Sequence, residues 1–281
     1  TEIAAQAKAM TGRALVINGD IKLALLPSPA LVAEDVRLTN IEGAAESEMV
    51  RLKSLQVRIA LGPLLSGEFQ VETLKLIEPV IALETLADGR QNWILTPPQD
   101  EVSSTTKSAE SQVAENADGA AAGGGLRPGV RIDSFVIVNG SVIYRDSRKG
   151  TVQRIEAIDA RIAAASLTGP FDSDGQLQFG GIPLGYEISV GKVIHGRTVP
   201  FTMRVDMVGA AAGVQVDGTL VSLSDAPKVK GTVKVRGANL AGVINSLAAA
   251  GPLPGILNQG FDAEGTMVAS ADGIEIKGVA L

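Results

Sequence analysis

Cysteine is absent from the chain and histidine occurs once. Without thiols, disulfides, zinc–thiolate sites and a cysteine nucleophile are excluded. The single imidazole, His195 in VIHGRT, reads as an incidental turn residue, since metal sites of the nitrogen and sulfur kind need more than one such ligand. Aromatic residues make up 3% of the 281, so any apolar face is built from Val, Ile, Leu and Ala. Positive charge is in deficit: the net charge is −6 and the sequence pI about 5.0, which argues against a nucleic-acid footprint. No stretch reaches the roughly 18 apolar residues of a membrane span, and the opening residues do not read as a signal peptide. The start at Thr1, without methionine, reads as a truncated or processed product.

Reaction chemistry is equally hard to find. Asp172 and Asp174 in FDSDGQ begin like a calcium loop, yet the later ligand positions are missing, so a hairpin turn is the expectation there. Gly123-Gly124-Gly125 is not followed by Lys-Ser/Thr and opens no helix, unlike a phosphate cradle. Ser66 in LLSGE lacks the G-x-S-x-G elbow. No catalytic residue, metal or cofactor is expected, and the chain is not read as an enzyme.

What the sequence does hold is alternation. In LQVRIAL, Leu55, Val57, Ile59 and Leu61 fall on one face and Gln56, Arg58 and Ala60 on the other, the two-residue period of a half-buried strand. After Pro63 and Gly67 the pattern resumes in VETLKLIEPVIALE, with Leu74 and Leu76 before Pro79 and Ile81 and Leu83 after it. A polar turn, DGRQNW, closes the stretch. Upstream, Ile3, Ala7 and Met10 make a helical stripe capped by Gly12, followed by strands at 15–18, 21–26 and 31–39. Downstream, VPFTMRVDM sets Val199, Phe201, Met203, Val205 and Met207 against Pro200, Thr202, Arg204 and Asp206, and KVKGTVKVRG alternates in the same way. Asn239 is a helix N-cap before LAGVINSLAAAG, and two strands near 261–269 and 274–281 follow.

Residues 97–128, rich in Ala, Gly, Ser and acids, cannot bury enough surface to offset ordering entropy and read as a disordered loop or linker. It separates a 1–96 segment from a 129–281 segment that repeats it. IDSFVIVNGSVIYR lies on VETLKLIEPVIALE without a gap, setting Phe135 and Ile137 on Leu74 and Leu76, and Val142 and Tyr144 on Ile81 and Leu83. The Asn139-Gly140 turn then falls on Glu78-Pro79. RIEAIDARIAAASLTGPF likewise echoes RLKSLQVRIALGPLLSGEF. Such repeats argue for an elongated array.

About 15 strands with one apolar face and two short helices leave that face without a helical cover. Either the strands form two packed sheets, a β-sandwich with a dry core, or one sheet curls into an apolar trough. The scarcity of aromatics favours the trough, because small aliphatic residues leave room.

The motifs carry a resemblance. Pro63-Leu64-Leu65-Ser66-Gly67, Pro79-Val80-Ile81-Ala82-Leu83, Asp88-Gly89-Arg90-Gln91-Asn92-Trp93 and the stretch from Thr11 to Asn40 resemble the N-terminal region of the bacterial AsmA family. That family is similar to the repeating β-groove lipid transfer proteins related to the chorein group. The resemblance implies a long, curled antiparallel meander sheet with a short N-terminal helix and one short helix in the second half. It implies a periplasmic location with a membrane helix upstream of Thr1 in the bacterial inner membrane. Phospholipid would be the ligand, outer-membrane biogenesis the process, and outer-membrane or assembly proteins the partners. The groove candidates are Leu55, Val57, Ile59, Leu61, Leu74, Leu76, Ile81, Leu83, Phe135, Ile137, Val142, Tyr144, Val199, Phe201, Met203, Val205 and Met207. The alternatives are a non-catalytic scaffold acting on outer-membrane protein assembly, which an open or filled apolar face discriminates, and an unrelated β-sandwich binding or adhesion module.

Overall fold

The computed structural model describes residues 8–9, 11–24, 28–65, 70–95, 131–164, 166, 168–194, 197–209, 211–222, 228–248, 255, 258–270 and 273–280. Fifteen strands join in one sheet. The first part supplies β1 (Leu15–Ile17), β2 (Ile21–Ala24), β3 (Ala30–Thr39), β4 (Glu48–Ile59), the short helix α1 (Leu61–Leu65), β5 (Gln70–Ile77) and β6 (Val80–Thr85). The second supplies β7 (Arg131–Asp146), β8 (Thr151–Ala164), β9 (Phe171–Phe179), β10 (Ile182–Val190), β11 (Val199–Met207), β12 (Ala212–Ser222), β13 (Lys228–Gly237), helix α2 (Leu240–Ala248), β14 (Phe261–Ser270) and β15 (Gly273–Ala280). Asn239 caps α2 as its sequence position predicts, its Oδ1 accepting from the Gly242 amide at 2.9 Å. At the other end, the Gly12 amide donates to the Lys8 carbonyl and Gly12 has φ +69°. The rest of the predicted N-terminal helix lies outside the described residues, as do residues 97–128, His195, Ser66 and the Gly123–Gly125 tract.

The meander is antiparallel with one exception. β5 and β6 are two halves of one line that runs parallel to β7, from Gln70 opposite Arg131 to Thr85 opposite Asp146. A parallel neighbour cannot be reached by a hairpin. After Thr85 the chain has to return along the length of β7, sixteen residues, or about 50 Å at ~3.3 Å per residue. A long connection between the two repeats is therefore a topological requirement. The ladder also gives the internal repeat a physical meaning: the residues that superpose in sequence, Leu74 with Phe135, Leu76 with Ile137, Ile81 with Val142 and Leu83 with Tyr144, are hydrogen-bonded neighbours in space.

A crease crosses the first half of the sheet. Asp35 in β3, Glu78 between β5 and β6, Asn139 in β7 and Ala157 in β8 all have left-handed backbones, with φ of 46°, 48°, 50° and 48°. The break between β1 and β2 sits at the same level, where the Asn18 and Gly19 amides donate to the Asp35 and Glu34 carbonyls. At this line each strand slips its side-chain phase by one residue. Ala33 and Val36 share one buried cluster with Leu52, and Leu55 and Leu76 pack against it. A Cβ on Gly140 would meet Ile137, Pro79 and Ile158 on one side. The slip places an extra residue on the polar side of neighbouring strands at one level, lengthening that surface and bending the sheet toward its apolar side. Burial agrees: Val36, Leu52 and Pro79, on the inside of the bend, are at most 6% exposed.

This overturns one reading of the sequence. Asn139-Gly140 does not end a strand in a turn; it is the crease point of a strand that continues from Arg131 to Asp146. Asp172 and Asp174 are likewise inside β9 and not in a turn, their side chains exposed on the polar face. Among the described residues no group of three His, Cys, Asp or Glu could hold a metal ion.

A polar knot closes one end of the first repeat, built around the DGRQNW segment. Asn92 is fully buried. Its Oδ1 accepts from the Glu84 amide at 2.8 Å, and its Nδ2 donates to the Ala82 carbonyl at 2.7 Å and to Asn40 Oδ1 at 3.1 Å. Its carbonyl accepts from Arg13 Nη2 at 3.1 Å. The buried Glu84 carboxylate accepts from the Ala45 amide and the Ser147 hydroxyl. Trp93 packs on Tyr144 with ring centroids 6.0 Å apart, and the Tyr144 hydroxyl meets Thr85 Oγ1 at 3.3 Å. At Asp146, burial pushes the carboxyl up, but the Arg148 side chain and the Arg148 and Lys149 amides together hold it below its ordinary value.

Two substitutions test this account. Ala157→Val puts a β-branched side chain at a left-handed position and lowers stability by about 1–2 kcal/mol, whereas Ala157→Gly is neutral or stabilising, as read from denaturant midpoints. Asn92→Ala leaves the Glu84 amide and the Ala82 carbonyl buried without partners and costs about 3 kcal/mol in the same measurement.

Candidate functional site: the apolar face of the sheet

The register of the strands sorts the side chains into rows that run across the sheet. One row passes from Ala33 through Leu55, Leu76, Ile137, Ala160, Gly175, Tyr186, Val205, Val214 and Val235 to Ala263. Beside it lies a second: Leu31, Val57, Leu74, Phe135, Ile162, Ser173, Ile188, Met203, Val216, Val233 and Gly265. Each crosses eleven strands without a charged residue. Past the crease, Leu15, Leu38, Val50, Ile81, Val142, Ile155, Phe179 and Ile182 form another.

The opposite face carries charge of both signs. Its row runs Gln56, Lys75, Val136, Arg161, Asp174, Glu187, Arg204, Gln215, Lys234, Glu264. Depressions on this face are spaces among such side chains. One of about 590 Å³ is lined by Asp159, Arg161, Asp174, Gln176 and Glu187 together with Ile137, Ala160 and Tyr186, and one of about 410 Å³ lies over the crease beside the Lys53–Glu78 ion pair. Asp35 is held below the usual carboxylate range by its bond to Arg37, and Arg37 is raised in turn by Asp35 and Glu48. These are pairs between exposed or half-exposed groups of opposite sign, and they converge on no reactive centre.

Most side chains of the apolar rows are shielded without being covered. Leu55, Leu74, Leu76, Phe135, Ile137, Tyr186, Met203, Val205, Val214 and Val235 are all half-buried. The buried hydrophobic cluster of the sheet is small, centred on Ala33, Val36 and Leu52. A sandwich with a dry core would bury these rows completely. Instead most of these side chains are half-buried, while Ala33, Ala160, Val216 and Val233 in the same rows are buried, and at the β2 edge Ile21 and Leu23 are 48% and 65% exposed.

Sixteen of the seventeen candidates lie on strands of this sheet. Leu55, Leu76, Ile137 and Val205 share the first row, and Val57, Leu74, Phe135 and Met203 the second. Ile81 and Val142 lie in the row past the crease. Leu83 and Tyr144 pair next to the polar knot. Ile59 is opposite Val71 after a register shift. Phe201 pairs with Gly218 and Met207 with Ala212, while Val199 is fully buried at the start of β11. Leu61 is the exception. Pro63 ends the strand early, and Leu61 becomes the first, exposed residue of α1.

Sequence reading missed the glycines that keep the face clear. Tyr186 lies opposite Gly175, Phe201 opposite Gly218 and Phe261 opposite Gly237. A Cβ on Gly218 would fall 2.9 Å from the Phe201 ring, and one on Gly175 would fall 3.1 Å from the Tyr186 ring. Each ring is laid over the neighbouring backbone, so its bulk stays close to the sheet. Glycine inside an alternating strand was the available signal.

A family model described as AsmA family matches residues 1–248. The chain belongs to the AsmA family. Comparisons with curated proteins and with solved structures gave no match. AsmA membership sets the context as an envelope-associated, non-enzymatic family of lipid transport and outer-membrane biogenesis. Among the described residues of this AsmA chain, no helix is long and apolar enough to cross a membrane.

Gly218→Ala tests the stacked arrangement. The added methyl meets the Lys230 carbonyl and the Phe201 ring, and the expected loss is about 1–3 kcal/mol in the denaturant midpoint. Gly185→Ala, where the nearest atom to an added methyl is the Gly175 carbonyl oxygen at 4.0 Å, leaves the midpoint within about 0.5 kcal/mol.

Proposed function

We propose that this AsmA chain binds phospholipid along the apolar face of its sheet and carries it through the periplasm for outer-membrane biogenesis, the full-length protein being held in the inner membrane by a helix upstream of Thr1. The observation that carries this reading is continuity. Individually, Leu55 or Val205 is an ordinary half-buried strand residue; in register they form charge-free rows across eleven strands. At ~4.8 Å between strands a row is about 50 Å long, more than twice an extended acyl chain. Acyl chains laid on these rows exclude water from surface that the described residues leave half-exposed, at roughly 25 cal/mol per Å², while headgroups remain at the rims. Release requires that no polar group grip the lipid too firmly, and the two long rows carry no charged side chain.

Transport also needs a path along which one position resembles the next. The recurrence of Val, Ile, Leu, Ala and Met from strand to strand provides this, and the flattened rings at Gly175, Gly218 and Gly237 leave no step standing in the way. The crease curls the first repeat around its apolar side, and β9 to β14 continue the face without further left-handed residues within the strands.

Native mass spectrometry with lipid extraction on the protein purified from a bacterial host is the test. Stoichiometric phospholipid is expected, lost in Phe201→Asp and Val205→Asp variants that retain the wild-type circular dichroism. It is retained in Thr202→Lys, which places charge on the opposite face. A protein that is lipid-free and takes up no added phospholipid would rule out direct carriage.

A further inference from the structure

The two longest apolar rows hold one polar spot. From β3 to β14, their side-chain hydroxyls are those of Ser173 and Tyr186, in adjacent rows on the neighbouring strands β9 and β10. Ser173 is flanked by Ile162 and Ile188, and Tyr186 by Gly175 and Val205. The Tyr186 ring crosses over Gly175, where a Cβ would collide with the Asp159 carbonyl as well as with the ring. Gly175 thus allows the ring to lie along the sheet and carry its hydroxyl to Ser173. The two oxygens are 3.4 Å apart, long beside the roughly 2.7–2.8 Å of a good O–H···O bond. Between them they own two donors and about four acceptor lone pairs. A mutual bond uses one donor and leaves the other.

In the uncovered protein water satisfies that donor. Under an acyl chain it would have no partner, and an unpaired hydroxyl in an apolar setting is unfavourable. A covering molecule therefore sits best where it offers an acceptor at this point and hydrocarbon beside it. An ester carbonyl has that character: it accepts, has no proton to give, and joins directly to an acyl chain. Resting on the reading of this face as a lipid carrier, we propose that Ser173 Oγ and Tyr186 Oη form a recognition point for the ester carbonyl of a bound diacyl lipid. The pair sets the register at which the lipid pauses along the rows, and favours ester-linked over ether-linked chains.

The experiment compares the full chain with Tyr186→Phe, Ser173→Ala and the double variant. Binding is measured by titration in native mass spectrometry with ester-linked phosphatidylethanolamine and its dialkyl-ether analogue, which share headgroup and chain length. The wild type is expected to prefer the ester by about three- to tenfold, the range of one net hydrogen bond. The double variant should lose that preference by weakened ester binding, with ether binding unchanged or improved. Equal binding of the two lipids by the wild type overturns the recognition point and leaves the carrier reading standing. So does equal loss of both lipids in Tyr186→Phe, which would assign the hydroxyl a role in packing. Binding of neither lipid by the wild type overturns the carrier reading and this proposal together.

Discussion

The constraint on which this structure depends is that a β-strand has two faces and a side chain must choose one. A strand that bends sharply without correction would turn its apolar residues outward. The chain meets this with left-handed residues at one level, Asp35, Glu78, Asn139 and Ala157, each of which slips the alternation by one position where the bend occurs. Apolar residues thereby stay on the inside above and below the line. The cost is local, since non-glycine residues in this conformation are strained by about 1 kcal/mol each. What it preserves is global: a face of one character across the whole sheet, on which both the small buried cluster and the open rows rest.

The second constraint is quantity. A sheet of fifteen strands has more apolar surface than the two short helices among the described residues can cover, and its edges do not meet. The chain responds by limiting the size of what stands on that face. Small aliphatics fill most positions, and three of its aromatic rings are paired with glycines that let them lie flat. An AsmA protein with bulky, upright aromatics at Tyr186, Phe201 and Phe261 would fill its own trough. The polar knot at Asn92, Glu84 and Trp93 secures the end of the first repeat by hydrogen bonds, with every polar atom of the buried Asn92 side chain engaged.

Much of this was legible in the residues. Alternation located the strands, Asn239 marked a helix start, and the repeat alignment anticipated a spatial register. The odd spacing from Leu76 to Ile81, and from Ile137 to Val142, already contained the crease. It reads as a turn because Asn-Gly and Glu-Pro are turn-forming pairs, and only the continuing ladder shows that the strand does not reverse. Leu61 was misplaced because apolar periodicity cannot see a proline acting two residues ahead. The charge-free rows are invisible one strand at a time, for they exist only once the register between strands is fixed.

The parallel seam between β5–β6 and β7 has a consequence for how the molecule assembles. The other ladders of the sheet join residues no more than 40 positions apart, as in Val229 with Ala269, whereas the seam pairs residues about sixty positions apart, as in Val71 with Ile132. Closing so long a loop carries an entropic cost that local hairpins avoid. Each side of the seam can therefore zip up on its own, and the seam is where two independently formed half-sheets must find one another. Because the two edges that meet there are near copies in sequence, each edge is also a fair match for its own twin on another molecule. Exchange of halves between chains is the characteristic hazard of such a design, and the covalent tether between the halves, by keeping the correct edge at high local concentration, is what weights assembly toward the intramolecular pair.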